Sequence, residues 1–257
     1  MKVLFIDKPV GITSNGVCEI VRRILNEKRV GHTGTLDKNV SGMLILLVGK
    51  ATRLYSIFNL DKTYVGIGKL HKDVDIKTLR KIVRDKFTGL IEQKPPKRSR
   101  VKRVVRKRFI YEFKILKKEG RYFLFRVKCE AGTYIRKLLH DIGLYTGGCQ
   151  MVELRRIGIG RFKENLCVSL EEFKKNKEKY LVDVEKIIKF LPYKKINLKK
   201  EEAKRFCYGG FIKNRWEKIK EKEKILVIYK KRLIGVGIVI NKNVKPEIVL
   251  VDANQIN

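Results

Sequence analysis

The loop Gly31–Asp37 combines residue types that can support chemistry. It reads Gly-His-Thr-Gly-Thr-Leu-Asp and places one carboxylate, Asp37, just before a buried strand. Its two glycines allow the backbone to approach a ligand closely. Taken alone, an aspartate in a loop is more often a turn or helix-cap residue, and His32 is more often a structural histidine. The loop lacks the Gly-x-x-x-x-Gly-Lys-Ser/Thr pattern, which excludes a phosphate-binding P-loop.

The segment Cys129–Arg136 is a second candidate. It leaves an alternating strand and opens a helix, so Arg136 lies in the first helical turns. The helix dipole favours anions at that end, and it therefore does not explain an arginine there. Arg136 is either exposed without a partner or paired with a carboxylate.

The third feature is the basic segment Lys94–Arg108, in which nine of fifteen residues are Lys or Arg and none is acidic. The plain interpretation is a solvated edge strand. Embedded valines indicate a folded surface, however, and a dense cationic surface binds phosphates with release of counterions. We expect contacts to a nucleic-acid backbone from Lys97, Arg98, Arg100, Lys102 and Arg103.

The overall charge supports a polyanionic partner. The 257 residues include 61 Lys and Arg against 27 Asp and Glu, a net charge of +34. Nucleic acid is the first candidate partner and an anionic membrane surface is the second. Hydrophobic residues make up 44% of the chain, which is enough for a folded core.

Cysteine usage and the apolar runs indicate the compartment. The five cysteines are scattered and form no Cys-x-x-Cys pair, so neither structural zinc nor a disulfide framework is expected. No apolar run approaches the roughly 20 residues of a membrane span. Asp7 and Lys8 directly follow a short apolar run, which argues against a signal peptide. We expect a reduced, cytoplasmic protein.

The elements that position these residues follow from hydrophobic spacing. A helix capped by Thr13 or Ser14 carries apolar residues at positions 17, 20, 21, 24 and 25, and further helices are expected over 76–87 and after Gly132. Strands are predicted at Met43–Val48, Thr63–Leu70, Val101–Leu116 and Tyr122–Cys129. Helices and strands interleave without a regular βαβ rhythm. This predicts an α+β fold with a mixed, mainly antiparallel sheet and flanking helices.

The C-terminal part has a different composition. Glu164–Lys189 is charged and predicted to be helical, and Phe190-Leu191-Pro192 then breaks the chain. Beyond it we predict a helix at Lys199–Phe206 and three short strands: Lys224–Tyr229, Leu233–Ile240 and Glu247–Val251. Several short strands in so few residues predict a small β-barrel. A domain boundary is therefore placed near residue 190, which gives domains 1–190 and 191–257.

Read in order, these motifs resemble one family of RNA pseudouridine synthases, that of TruB and dyskerin. The resemblance covers roughly residues 3–162, and the tail resembles a PUA domain, a small RNA-binding barrel, through EEAKRFCYGG (201–210) and IGVGIVI (234–240). The catalytic-domain motifs are DKPVGITSN (7–15), GHTGTLD (31–37), SGMLILLVGKATRL (41–54), KTYVG (62–66), KPPKRSRVKR (94–103), CEAGTYIRKLLHDIG (129–143) and GGCQMVELRR (147–156).

The resemblance implies isomerisation of uridine to pseudouridine in RNA, on a nucleotide flipped out of its stack and without cofactor or metal. Asp37 matches the family's invariant aspartate, a nucleophile or a base after glycosidic cleavage. Tyr64 would stack on the flipped uracil and take part in proton transfer. Arg136 would pair with Asp37 and hold it ionised. His32, Tyr134 and Leu154 would contact the substrate.

The segment 69–96, KLHKDVDIKTLRKIVRDKFTGLIEQKPP, resembles the archaeal and eukaryotic branch of the family. That branch supplies the catalytic subunit of H/ACA guide ribonucleoproteins. It implies guide RNA and small accessory proteins as partners, with ribosomal RNA as substrate and transfer RNA as a further candidate. Lys97 and Arg100 depart from the family's apolar or small residues beside the Pro-Pro step, and Gly158–Gly160 departs from its usual ending.

Two other functions stay open at this point. One is a stand-alone synthase of the tRNA T-loop with the same fold. The other is a non-catalytic RNA-binding protein, against which the joint presence of Asp37, Tyr64 and Arg136 argues, because a binder needs none of them. A membrane-surface protein is a distant third, since no basic amphipathic helix with aromatic anchors is evident.

Overall fold

Two β-sheets organise the chain in a computed structural model that describes residues 1–95, 102, 104–216 and 219–257. In that part of the chain the strands are β1 (Lys2–Lys8), β2 (Val30–His32), β3 (Ser41–Val48), β4 (Lys62–Leu70), β5 (Gly89–Gln93), β6 (Arg106–Glu119), β7 (Tyr122–Cys129), β8 (Cys149–Ile159), β9 (Phe162–Lys163), β10 (Val182–Asp183), β11 (Lys194–Asn197), β12 (Ile212–Lys213), β13 (Lys224–Tyr229), β14 (Arg232–Ile240) and β15 (Asn243–Val249). The α-helices are α1 (Ser14–Leu25), α2 (Ile76–Phe87), α3 (Ile135–Thr146), α4 (Leu170–Lys175), α5 (Lys177–Tyr180), α6 (Val184–Ile187) and α7 (Lys200–Cys207). Short 3-10 helices occupy Gly49–Phe58, Glu164–Leu166, Ile188–Phe190 and Ala253–Gln255.

The larger sheet has the order β10-β1-β3-β8-β4-β7-β6-β5, with β2 paired to β3 and β9 to β8. Its β3–β8 pair is parallel, and its other described pairs are antiparallel. The predicted α+β class with a mixed, mainly antiparallel sheet is therefore confirmed. Strands β4 and β8 lie side by side at its centre, although three strands (β5, β6 and β7) and two helices separate them in sequence.

Helix α1 forms where the apolar spacing predicts it. The Thr13 hydroxyl accepts from the Gly16 amide at 3.0 Å and caps its start, and Asn26 ends it in the left-handed conformation. Val17 and Val21 pack against the inner residues of β1 and β3. This packing brings Ser14, the first helical residue, to the loop that carries Asp37.

Helices α2 and α3 cover the other half of the sheet. Their apolar faces form one core cluster with residues of β4, β6 and β7. The predicted strand pair around Glu119–Gly120 is confirmed, and it turns at Gly120 with a φ of 51°. The start of the predicted strand at 101 lies outside the described residues, and β6 begins at Arg106.

Two expectations need correction, and one strand was not expected. Glu164–Lys189 is not one helical segment. It is divided into short helices around Asn176 and strand β10, because Val182 and Asp183 pair with the edge of β1. The last strand is Asn243–Val249 and not Glu247–Val251. Strand β8 was not predicted. Its sequence is rich in charged residues and does not show a clear alternation of polar and apolar side chains, although the strand lies between β3 and β4.

The predicted small barrel is present as a five-stranded sheet in the order β11-β13-β14-β15-β12. Its hydrophobic core is continuous with the core beneath β1 and β3, since Ile57 and Phe206 belong to the same buried cluster. The domain boundary near residue 190 stays a prediction. In the described part of the chain, no helix is long and apolar enough to cross a membrane.

Candidate active site

Asp37 and Arg136 form an ion pair in the structure. Asp37 lies in the loop between β2 and β3, and Arg136 is the second residue of α3. The two side chains are 54% and 55% exposed, so the pair lies open to a ligand. A half-exposed ion pair contributes about 1 kcal/mol or less to the stability of the fold. The position of this pair therefore points to contact with a ligand more than to a structural role.

The backbone on both sides of Asp37 is held by buried side chains. The Ser14 hydroxyl donates to the Leu36 carbonyl at 3.1 Å and accepts from the Leu36 amide at 2.8 Å. On the other side, the Lys38 carbonyl accepts from the Gly11 amide at 2.9 Å and from the ammonium of buried Lys8 at 3.5 Å. Asp37 is therefore presented by a rigid stretch of loop.

Arg156 fixes the preceding part of the loop. This arginine of β8 is only 1% exposed. Its guanidinium donates to the carbonyls of Met43 at 2.8 Å, Gly34 at 3.0 Å and Thr35 at 3.5 Å. Backbone carbonyls thus satisfy a buried cation, which would otherwise be costly. The family resemblance did not assign a role to Arg156, Ser14 or Lys8.

Tyr64 lies on the buried face of β4 and is 7% exposed. Burial raises the pKa of its hydroxyl, and the positive charge of Arg156 opposes that rise. Gly66, two residues along the same face, faces Leu154 of β8. A β-carbon at Gly66 would come within 2.6 Å of the Phe125 ring and 3.0 Å of the Leu154 side chain, so the glycine is needed for this close packing. Leu154 is buried beside Tyr64 in one cluster.

His32 ends β2 at the start of the same loop. Its Nε2 lies 3.0 Å from Oδ1 of Asn15, and its buried Nδ1 has no hydrogen-bond partner among the described residues. Burial lowers the pKa of the imidazole, and the Arg156 guanidinium lowers it further. These surroundings favour the neutral imidazole, in the tautomer whose Nε2–H can donate to Oδ1 of Asn15.

Tyr134 precedes α3 and is half-buried. Its amide donates to Oε1 of Gln93 at 3.0 Å, and Nε2 of Gln93 donates to its carbonyl at 3.2 Å. This buried glutamine fixes the start of the helix that carries Arg136. Sequence reasoning missed Gln93, although it directly precedes the basic segment.

The basic segment is described only in part. Lys97, Arg98, Arg100 and Arg103 lie outside the described residues, and their contacts to RNA stay predictions. Lys102 is exposed, and its carbonyl accepts from the Arg106 guanidinium at 3.4 Å. Across the described ranges, no group of three or more His, Cys, Asp or Glu residues could hold a metal ion.

Replacing Ser14 by alanine is expected to lower turnover without changing the affinity for RNA. The change leaves the buried amide and carbonyl of Leu36 unpaired, at a cost of about 1–3 kcal/mol, and it loosens the backbone beside Asp37. A misplacement of about 1 Å can cost about 10²-fold in rate. Single-turnover rates at saturating RNA measure the effect.

Thr13→Ala is the matched control for this prediction. It removes a neighbouring hydroxyl that caps α1 and costs about 1 kcal/mol of stability, but it has no bond to the Asp37 loop. An equal loss of rate in both variants would show that Ser14 acts through helix stability alone.

Comparisons with known proteins place this geometry in context. Residues 22–135 match the family model described as TruB family pseudouridylate synthase (N terminal domain). Residues 136–190 match the tRNA pseudouridylate synthase B C-terminal domain. Among solved structures, a Cbf5–Nop10–Gar1 complex matches with a TM-score of 0.87 and 34% identity over 98% of this chain and 86% of that chain. An H/ACA ribonucleoprotein bound to a substrate RNA matches with a TM-score of 0.85 and 31% identity over 100% and 87%.

Curated relatives carry the description "Probable tRNA pseudouridine synthase B". The protein of Thermoplasma volcanium is 42% identical over 80% of this chain and 62% of the relative. That of Methanosarcina barkeri is 50% identical over 67% and 51%, and that of Archaeoglobus fulgidus is 38% identical over 90% and 77%. The chain thus spans between about half and three quarters of the length of these relatives.

Proposed function

We propose, because the chain belongs to the TruB family of pseudouridylate synthases, that it isomerises uridine to pseudouridine in RNA as the catalytic subunit of an H/ACA guide ribonucleoprotein. The observation that carries the chemical part is the open ion pair of Asp37 and Arg136 on a loop locked from both sides. Tyr64 belongs to the same buried cluster as Leu36 and Val40, which flank Asp37 in sequence.

Each residue of the proposed site has a separate role in the reaction. The C1′–N1 bond breaks with its electron pair on the base, the base turns, and C5 bonds to C1′. Asp37 either bonds to C1′ or takes a proton from the sugar, and Arg136 keeps its carboxylate ionised and oriented. Tyr64 packs against the uracil and takes part in removing the proton from C5. Leu154 forms a wall of the pocket.

The guide-dependent role is supported by the solved structures, which align with nearly the whole chain and were solved as H/ACA assemblies or parts of them. A net charge of +34 suits a protein that holds both guide and substrate RNA. The partners proposed on this basis are guide RNA, substrate RNA and small accessory proteins.

A stand-alone tRNA synthase is the second candidate, and the description shared by the curated relatives favours it. Tritium release from RNA labelled at C5 of uridine separates the two. The protein would be assayed with a tRNA transcript alone, and then with an H/ACA guide, its target RNA and the accessory proteins.

Release that requires the guide supports the guide-dependent role. Full release from the tRNA alone would establish the stand-alone activity. No release under either condition would contradict the proposed chemistry.

Arg136→Lys is expected to lower the rate although it keeps the charge. The flexible ammonium lacks the planar donor fork that orients a carboxylate. Loss of one charge-assisted hydrogen bond is worth about 1.5–3 kcal/mol, which is about 10- to 100-fold in rate. Lys137→Arg, at the next position of α3, is the control, since Lys137 pairs with Asp141. A wild-type rate in Arg136→Lys would show that the planar guanidinium fork is not needed to orient Asp37.

A further inference from the structure

Lys62 is a buried lysine beside the proposed active site. It is the first residue of β4, is 6% exposed and lies on the same face of the strand as Tyr64. A β-carbon at Gly34 would lie 3.5 Å from its Cε and 3.9 Å from its Nζ. The ammonium therefore lies directly beneath the loop that carries Asp37.

The charge of Lys62 is not satisfied by the protein. Lys8, the other buried lysine near the loop, donates to the carbonyls of Pro9 at 2.7 Å and Ile12 at 2.8 Å. For Nζ of Lys62, the described residues supply neither a hydrogen-bond acceptor nor a carboxylate within 4.0 Å. The side chain is buried, but its Nζ is not among the fully buried, unpaired polar atoms of the described residues, so the ammonium keeps contact with solvent and is open to a ligand.

The surroundings of Lys62 disfavour its positive charge. Burial lowers the pKa of its ammonium to about 8, and the Arg156 guanidinium on β8 contributes to the fall. Cys129 on β7 and Asp61, which precedes β4, oppose it. Tyr64 is the titratable neighbour along β4, and the charge of Arg156 also lowers its pKa against the effect of burial. Two buried cations, opposed in part by the Asp61 carboxylate, form a site suited to negative charge.

We propose that Lys62 is a further catalytic residue, whose ammonium stabilises the negative charge that develops on the departing uracil. The inference rests on the proposed function. When the C1′–N1 bond breaks, both bonding electrons stay with the base, which becomes a uracil anion with its charge spread over N1 and the carbonyl oxygens. The deficit at C1′ is met by a bond to Asp37 or by loss of a sugar proton to Asp37. N1 takes up a proton after C5 has bonded to C1′ and lost its own.

The position of Lys62 favours the base over an RNA phosphate as its ligand. Phosphates lie on the outside of the RNA strand, where exposed cations can reach them. Lys62 instead lies inside, on the strand face of Tyr64, the residue proposed to pack against the uracil. A fixed charge in a water-poor site, placed where charge develops, is the arrangement that most lowers a barrier.

The test combines Lys62→Met with a matched control, Lys69→Met. Lys69 lies on the same strand, but its ammonium lies over the Tyr122 ring, 5.1 Å from the centroid. Lys62→Met is expected to lower the single-turnover rate at saturating RNA by about 10²–10³-fold, the usual effect of removing one such donor. Its affinity for RNA should change by less than about twofold, and Lys69→Met should keep the wild-type rate.

The pH profile is a second, independent measurement. Lys62 must be protonated to act, so kcat/KM of the wild type should fall as pH rises above about 8, the pKa of this ammonium. Lys62→Met should lack that fall. Thermal melting of each variant shows whether the fold is retained. The pH profile of the wild-type protein tests the proposal even if a variant fails to fold.

Three results would overturn the proposal. The first is an unchanged rate in folded Lys62→Met. The second is a loss of RNA affinity with an unchanged rate at saturating RNA, which would indicate a phosphate contact. The third is a wild-type pH profile of kcat/KM without a fall near pH 8. Wild-type protein that does not isomerise uridine would instead contradict the proposed function.

Discussion

Asp37→Asn is expected to abolish isomerisation while the fold and the affinity for RNA remain. The amide is nearly isosteric with the carboxylate, but it can neither bond to C1′ as a nucleophile nor accept a sugar proton. Removal of such a group lowers turnover by at least about 10⁴-fold in well-studied enzymes. Tritium release under single-turnover conditions measures the loss.

The structure explains why stability should survive this change. Asp37 and Arg136 are both more than half exposed, so losing their ion pair costs about 1 kcal/mol or less. Asp183→Asn is the matched control, because it removes a partly exposed carboxylate that pairs with Lys2 at the edge of the larger sheet. Turnover close to the wild-type rate in Asp37→Asn would remove Asp37 from the mechanism.

Arg156→Met is expected to lower both stability and rate. Methionine fills part of the volume but leaves the carbonyls of Met43 and Gly34 without their donor, so the free energy of unfolding should fall by about 2–4 kcal/mol. The loop before Asp37 then loses its anchor, so the rate should fall by about 10²-fold. Denaturant unfolding and single-turnover kinetics measure the two effects.

Arg155→Met is the control for Arg156. Arg155 lies next to it on β8 but is partly exposed and binds Asp7 and Glu164 at 2.8–2.9 Å. Its loss should reduce stability by about 1 kcal/mol and leave the rate unchanged. If the two arginine variants lose activity in proportion to their stability, Arg156 has no positioning role.

Elements with a clear local signal could be predicted from the sequence. Helix α1 carries its cap at Thr13 and its apolar residues at helical spacing, and both are properties of a short stretch of chain. The same holds for α2 and for the buried strand β3. The segment 164–189 could not be predicted in the same way, because Val182 and Asp183 become a strand only through pairing with β1.

The candidate site was found in part from family motifs. Asp37, Tyr64 and Arg136 were named by resemblance, and the structure brings Asp37 and Arg136 into contact across 99 positions of the chain. Their catalytic roles stay predictions. One signal in the sequence could have identified Lys62. In β4 every second residue faces inward, and Lys62 shares that face with Tyr64.

The basic character of the protein, its family and most of its regular elements follow from the order of its residues alone. Charge is a sum over residues, and helix or strand periodicity is set by near neighbours. The polar side chains that hold the loop, in contrast, are defined by tertiary packing. Arg156 binds the Gly34 carbonyl across 122 positions, and Ser14 binds Leu36 across 22. No local spacing encodes such bonds, because they exist only once β8 and α1 have packed beside the loop.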